Sequence, residues 1–149
     1  VCGGHGVVKR NEEIRIAIPA GINDGEMIRL TGRGEAVPRG TAGDLYVKVH
    51  VERHSVFQRE GENLIMNLSV KLSDALLGAE YKIEALDGNL TVKIPEGVSP
   101  GEILRVKGRG VPLGGSRRGD LHLKVSIKIP PKLSRKTRQL IEDLRAEGL

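Results

Sequence analysis

The sequence predicts a mostly β protein with two tandem small β-sandwich-like domains of common plan, a short helical turn in the second domain and a C-terminal α-helix. The main observation is an internal repeat, because a shift of 76 positions places Ile14–Val51 on Leu90–Ile127 without a gap. Fourteen aligned positions are identical, and several are Gly, Pro or Asp residues that fix turns. Two copies fall short of the roughly three repeats that a solenoid needs, so two similar domains are expected.

Composition supports this fold class. The 20 Gly and 7 Pro residues indicate many turns, as all-β folds require. Domains of about 70 residues bury a low fraction of their surface and are only marginally stable. Cys2 is the only cysteine, so disulfides do not reinforce the domains, and an aromatic content of 2% predicts aliphatic cores.

The first copy predicts three strands. Residues 14–18 alternate with a period of two, which predicts a strand with one buried face that ends at Pro19. Met27–Leu30 is a second short strand after a turn. Residues 44–51 form the third, and its apolar side consists of Leu45, Val47, Val49 and Val51.

Further elements precede the second copy. The polar stretch 52–63 is the best domain boundary, and Leu64–Val70 follows as a strand. One helical turn is expected next, with Ser73 as its N-cap and Gly78 as its stop. The dipeptide Asp87-Gly88 predicts a β-hairpin.

The tail predicts a helix. Ser134 is its expected N-cap, Ala146 its end, and Gly148 lies just beyond. Its apolar stripe either packs on its own domain or joins two subunits. That stripe consists of Leu140, Ile141 and Leu144.

The net charge is +5, from 24 basic and 19 acidic residues. Scattered charge of this kind favours solubility, whereas a nucleic-acid partner is the alternative. Stacking on single strands needs more exposed aromatic residues than one Phe and two Tyr. No apolar run reaches the roughly 18 residues of a membrane span, and no signal peptide is evident. The start at Val1 indicates a fragment or a processed product.

We expect no active site. Four histidines are scattered, and none has a Ser, Cys or Asp at a spacing that suggests a triad. The segments Gly32-Arg33-Gly34 and Gly108-Arg109-Gly110 lack the further residues of a phosphate loop and are expected to be turns. Asp44 and Asp120 follow a glycine, and their carboxylates are expected to accept backbone N–H bonds in those turns.

The segment Cys2-Gly3-Gly4-His5-Gly6 matches the second half of a zinc-knuckle element. Tetrahedral zinc needs four ligands, and this chain contains a single Cys. Cys2 is therefore either an orphan ligand of an upstream zinc site, not functional in this fragment, or an accidental thiol.

Ordered motifs along the whole chain resemble the carboxyl-terminal region of a DnaJ-type co-chaperone, a bacterial forty-kilodalton heat-shock protein. The resemblance begins at Cys2–Val8, which is similar to the end of that family's cysteine-rich region. It continues through the two domains and their junction. The motifs are Ile18-Pro19-Ala20-Gly21, Gly43-Asp44-Leu45-Tyr46-Val47, His54–Gly61, Ala75-Leu76-Leu77-Gly78, Leu86-Asp87-Gly88 and Gly119-Asp120-Leu121.

The resemblance implies a stress-response co-chaperone that binds unfolded client polypeptides, without enzymatic activity. A client segment would lie along a strand edge of the first domain by β-augmentation, with an apolar side chain in a neighbouring pocket. The matching pocket residues are Ile14 and Val47, supported by Ile16 and Val49, although all four are also plausible core residues. The alternatives are a basic nucleic-acid-binding β module and a purely structural dimerisation fragment.

The resemblance also implies domain bounds and partners. Residues 1–57 would be a zinc-element remnant with a partial first domain, residues 58–132 the second domain, and residues 133–149 a dimerisation helix. The upstream strands of the first domain and the J domain would be missing from this chain. The full-length protein would bind zinc and deliver clients to a DnaK-type ATPase chaperone in the cytoplasm. It would form homodimers through the C-terminal helix, by Leu140, Ile141 and Leu144. A membrane partner is not expected.

Overall fold

The structure is a computed structural model that describes residues 10–148. Within this range the chain forms eight strands and two helices. In chain order they are β1 (Met27–Leu30), β2 (Leu45–Lys48), β3 (Phe57–Glu60), β4 (Asn63–Lys71), α1 (Leu72–Leu77), β5 (Ala79–Ala85), β6 (Gly88–Ile94), β7 (Ile103–Val106), β8 (Leu121–Lys128) and α2 (Arg135–Ala146). The mostly β class with a C-terminal helix is therefore confirmed.

The strands form three sheets. Antiparallel β1 and β2 make a two-stranded sheet, and antiparallel β5 and β6 make another. The largest sheet has the order β3-β4-β8-β7, in which β4 and β8 are parallel and the other pairs are antiparallel. A crossover that contains α1 and the β5–β6 hairpin connects β4 to β8.

The hydrophobic core lies between the four-stranded sheet and the β5–β6 hairpin, which together form a small sandwich. Alternate residues of β4 and β8 point into it, as expected for sheets with one buried face. All buried apolar residues of the described chain lie between Phe57 and Val125, and Phe57 is the only aromatic residue among them. The core is therefore aliphatic, as composition predicts, and it belongs to the second half of the chain.

The first copy has no such core. No residue between positions 10 and 56 is buried. The apolar residues of β1 and β2 that share one face reach only half-burial. These are Ile28, Leu30, Leu45 and Val47.

Several local predictions need correction. Residues 14–18 form no strand, because an alternating pattern still needs a neighbouring strand to complete its hydrogen bonds. Strand β3, inside the polar stretch 52–63, was not predicted, because it is an edge strand whose exposed residues do not alternate. Helix α1 begins after Lys71 rather than at a Ser73 cap, although its predicted stop Gly78 is confirmed at φ 77°.

The predicted C-terminal helix is confirmed. Ser134 caps α2, and its side-chain oxygen accepts a hydrogen bond from the Thr137 N–H at 3.1 Å. The helix ends at Ala146, and none of its residues is buried. In the part of the chain that is described, neither helix is long and apolar enough to cross a membrane.

Candidate functional site

The two copies of the repeat share a polar device that shapes their turns, which we call the aspartate clamp. In the first copy, Asp44 accepts a hydrogen bond from the Gly32 N–H at 2.9 Å and another from Arg29 Nε at 2.7 Å. In the second copy the matching distances are 2.9 and 2.6 Å, between the corresponding residues Asp120, Gly108 and Arg105. The predicted role of both aspartates as acceptors of backbone N–H bonds is confirmed.

The clamp affects the acidity of Asp120. The Gly108 N–H hydrogen bond lowers the pKa of the Asp120 carboxyl, and the Arg105 guanidinium lowers it further. Both donors stabilise the charged form of the carboxylate. Asp120 therefore holds its turn as an anion at neutral pH.

The surroundings of the two hairpins that carry the clamp, β1–β2 in the first copy and β7–β8 in the second, differ. In the second copy, β8 lies between β7 and β4, and Leu121, Leu123 and Val125 are at most 1% exposed. In the first copy, β2 pairs with β1 alone among the described residues, and its matching side chains are only half-buried. We call this half-buried apolar surface the open face, which consists of Ile28, Leu30, Leu45, Val47 and Val49.

The four predicted pocket residues come from two separate segments. Val47 lies in β2 and Val49 follows it, so both belong to the open face. Ile14 and Ile16 lie in the irregular segment before β1, and both are half-buried. Residues of each segment are thus partly sheltered, although no fully buried pocket encloses them.

A cavity of about 710 Å³ adjoins Ile14 and is open to solvent. Ile14 and Leu30 supply its apolar wall, whereas Ile16, Val47 and Val49 do not line it. The rest of the lining is polar or charged, from Glu13, Arg15, Arg29, Thr31 and Arg33. Sequence reasoning did not anticipate this cluster of arginines, since it placed Arg29 in a strand and Arg33 in a turn.

An ion pair holds the irregular segment beside this cavity. Arg33 Nη1 lies 3.0 Å from Glu12 Oε1. Both side chains are more than half exposed, so the pair contributes at most about 1 kcal/mol. This ion pair therefore adds little to the attachment of the segment that carries Ile14.

Two of the histidines have structural contacts. His50 lies 3.6 Å from Asp24 on the surface, and the Val51 N–H hydrogen bond is the main cause that lowers the pKa of Asp24. His54 Nδ1 accepts hydrogen bonds from the N–H groups of Val56 and Phe57. These contacts serve the chain itself and do not suggest a catalytic grouping.

No group of three or more metal-binding side chains occurs within residues 10–148. The described part of the chain therefore does not fit a zinc site. Cys2, the predicted orphan ligand, lies outside the described residues.

The predicted dimerisation residues form an exposed apolar stripe on α2. Leu140 is 54% exposed, and the other two members are Ile141 and Leu144. The structure leaves all three side chains exposed, so the stripe does not pack on its own domain. The stripe remains available to a partner.

Comparison with known proteins places these features in context. The profile of the family described as DnaJ C terminal domain matches residues 5–130. Two relatives, both named Chaperone protein DnaJ, come from Leptospira biflexa serovar Patoc, in the Ames and Paris lines of strain Patoc 1. Each is 42% identical over 150 aligned positions, which cover 99% of this chain and 40% of the relative. The chain thus spans about 40% of the length of the curated relatives it matches.

Proposed function

Because this chain belongs to the DnaJ C-terminal domain family, we propose that it is the client-binding part of a co-chaperone. It binds exposed apolar segments of unfolded polypeptides and carries out no chemical step. Client binding occurs at the first copy, beside Ile14 and Val47, with Ile16 and Val49 in support.

The observation that carries this proposal is the open face. Leu123 of the second copy is completely buried, whereas Val47 at the matching position is only half-buried. An apolar client side chain placed on the open face would lose its contact with water. Full burial of one aliphatic side chain contributes about 1.5–3 kcal/mol, which suits weak and reversible holding.

Free strand edges supply the second half of the interaction. Within residues 10–148, β1 and β2 pair only with each other, so each keeps one edge without a strand partner. Backbone groups on a strand edge bind an extended peptide of any sequence, and the apolar face then selects for a hydrophobic side chain. This combination recognises unfolded chains as a class.

The proposal extends to the partners of the longer protein. The client would pass to a DnaK-type ATPase chaperone in the cytoplasm, and two copies would associate through the stripe on α2. Zinc would be bound in the longer protein, with Cys2 as one ligand. The exposure of Leu140, Ile141 and Leu144 supports the association.

The test measures how well the full-length protein suppresses aggregation of a chemically unfolded client. We expect Val47→Asp and Ile14→Asp to lose most of the suppression, because a carboxylate on the open face opposes burial of an apolar side chain. The matched controls are Tyr46→Asp on the opposite face of β2 and Ala17→Asp in the irregular segment, both exposed positions.

Circular dichroism of each variant shows whether its sheets are retained. Suppression at the wild-type level by both Val47→Asp and Ile14→Asp would refute the site. Equal losses in the Tyr46 and Ala17 controls would show that charge, not the open face, matters.

A further inference from the structure

Arg59 lies in β3, but its side chain reaches into the first half of the chain. Its Nη1 donates to the Ile22 carbonyl at 2.7 Å, and its Nη2 donates to the Gly21 carbonyl at 2.8 Å. Its Nε donates to the Gly61 carbonyl at 3.0 Å, which ties the base of the fork to the β3–β4 turn. The planar guanidinium thus holds three backbone oxygens at once.

These contacts are the polar connection between the two halves. Among the hydrogen bonds of residues 10–148, the two from Arg59 are the only ones that join residues 10–53 to residues 57–148. Hydrogen bonds from a charged donor are shorter and stronger than neutral ones. Halves that share a small interface otherwise move relative to each other.

Gly21 makes a second contact across the same boundary. A Cβ atom at Gly21 would lie 2.0 Å from the Pro112 carbonyl oxygen and 3.3 Å from a methyl group of Val111. The backbone at Gly21 therefore approaches the second copy closer than any other residue type permits.

The repeat shows that this approach is not a requirement of the turn itself. Gly97 matches Gly21, and it too has a positive φ, of 73° against 85°. Nothing lies within 4 Å of a Cβ placed on Gly97. The shared turn needs glycine for its backbone conformation in both copies. Only in the first copy does the missing side chain also let the backbone of the other half come into contact.

We propose that Arg59 is a positioning residue that, with Gly21 and Pro112, latches the first copy to the second and sets their relative orientation. The latch attaches to residues 19–22, directly after the segment that carries Ile14 and Ile16. It therefore fixes the orientation of the open face relative to the second half of the chain. The latch depends only on these contacts between the two halves, so it does not require that the open face binds a client.

The experiment measures the distance between the two halves by double electron–electron resonance. Spin labels are placed at Lys48→Cys in β2 and Glu84→Cys in β5, two exposed strand positions, in a Cys2→Ser background. Excess unlabelled protein removes distances between separate copies. The wild-type latch should give one narrow distance distribution.

Two variants open the latch from opposite sides. Arg59→Gln removes the guanidinium fork, and Gly21→Ala introduces a methyl group where the Pro112 oxygen lies. Each should lose the single narrow distance and give a broad distribution. The matched controls are Gly97→Ala, with the same backbone strain but no close neighbour, and Arg53→Gln, which removes an exposed arginine.

The spectral line shape of the label at position 48 separates a released hairpin from an unfolded one. Broadening in Arg59→Gln and Gly21→Ala, with the line shape unchanged and the controls narrow, supports the latch. A wild-type distribution in both variants overturns it. Equal broadening in Gly97→Ala also overturns it, because backbone strain would then be the cause.

Discussion

Val49 and Val125 make the same backbone hydrogen bonds, yet Val125 is fully buried and Val49 is only half-buried. The Val49 N–H donates to the Glu26 carbonyl at 2.8 Å, and the Val125 N–H donates to the Glu102 carbonyl at the same distance. The backbone plan is thus repeated, while the packing on it is not. Identical residues at matched positions let this difference be measured.

Val125→Ala should destabilise the protein by about 2 kcal/mol or more, because it leaves a cavity in a packed core. Val49→Ala should cost less than about 1 kcal/mol, because its side chain is already partly in water. Urea unfolding followed by circular dichroism measures both. Equal costs would show that the first copy has a core as tight as the second.

A glycine pair gives a backbone test. A Cβ at Gly119 would lie 1.8 Å from the Glu62 carbonyl oxygen, whereas a Cβ at the matching Gly43 meets nothing within 4 Å. In the 149-residue chain, Gly119→Ala should be strongly destabilising, and Gly43→Ala should stabilise by about 0.4–1 kcal/mol through the unfolded state. Thermal melting compares the two. A harmless Gly119→Ala would contradict the close approach of the β3–β4 turn to the segment that leads into β8.

The aspartate clamp predicts a pH dependence. The pKa of Asp120 is lower in the folded chain than its ordinary value of 3.8, so the clamp contributes its full stability above that value. The contribution is lost as the pH falls through the lower folded pKa. The stability difference between wild type and Asp120→Asn should therefore shrink in acid, below about pH 4.

Urea titrations between neutral and acidic pH measure that difference. Glu80→Gln, which removes a carboxylate from an exposed position of β5, serves as the control. A wild-type advantage over Asp120→Asn that stays constant into strong acid would rule out a role for the ionised carboxylate.

The stripe on α2 predicts self-association. Leu140→Asp should shift the sedimentation of the protein from dimer towards monomer, because a charge at an apolar interface opposes its burial. The control is Gln139→Asp, at the helix position directly before Leu140 and outside the stripe. A wild-type chain that sediments as a monomer would exclude dimerisation through this segment.

The sequence predicted those elements whose signals are local. Strand β1 and helix α2, with its cap at Ser134 and its end at Ala146, were predicted with their observed ends, since turns and caps are encoded next to them. The strand predicted at residues 14–18 was wrong, because alternation indicates which side chains share a face and does not indicate whether a partner strand is present. Strand β3 was missed because Gln58, Arg59 and Glu60 are all exposed on a sheet edge.

The candidate site was less accessible to sequence reasoning. Alternation identified Val47 and Val49 as inward-facing, but only the structure shows that their face is half-open. The arginines of the cavity beside Ile14 had no pattern of their own, because their proximity arises from tertiary folding. Arg59 could not be distinguished from other surface arginines before its carbonyl partners were known.

Contacts inside a hairpin join residues close in sequence, whereas contacts between β4 and β8 join distant residues, and this difference implies an order of folding. The Arg105–Asp120 contact closes a loop of residues 15 apart, whereas the Asn63–Asp120 contact joins residues 57 apart. Short loops close at a smaller entropic cost than long ones. The two clamped hairpins should therefore form early and independently, and the pairing of β4 with β8 should set the slow step. Among the described residues the first hairpin gains no such late partner, so its amide protons should exchange with solvent long before those of β8.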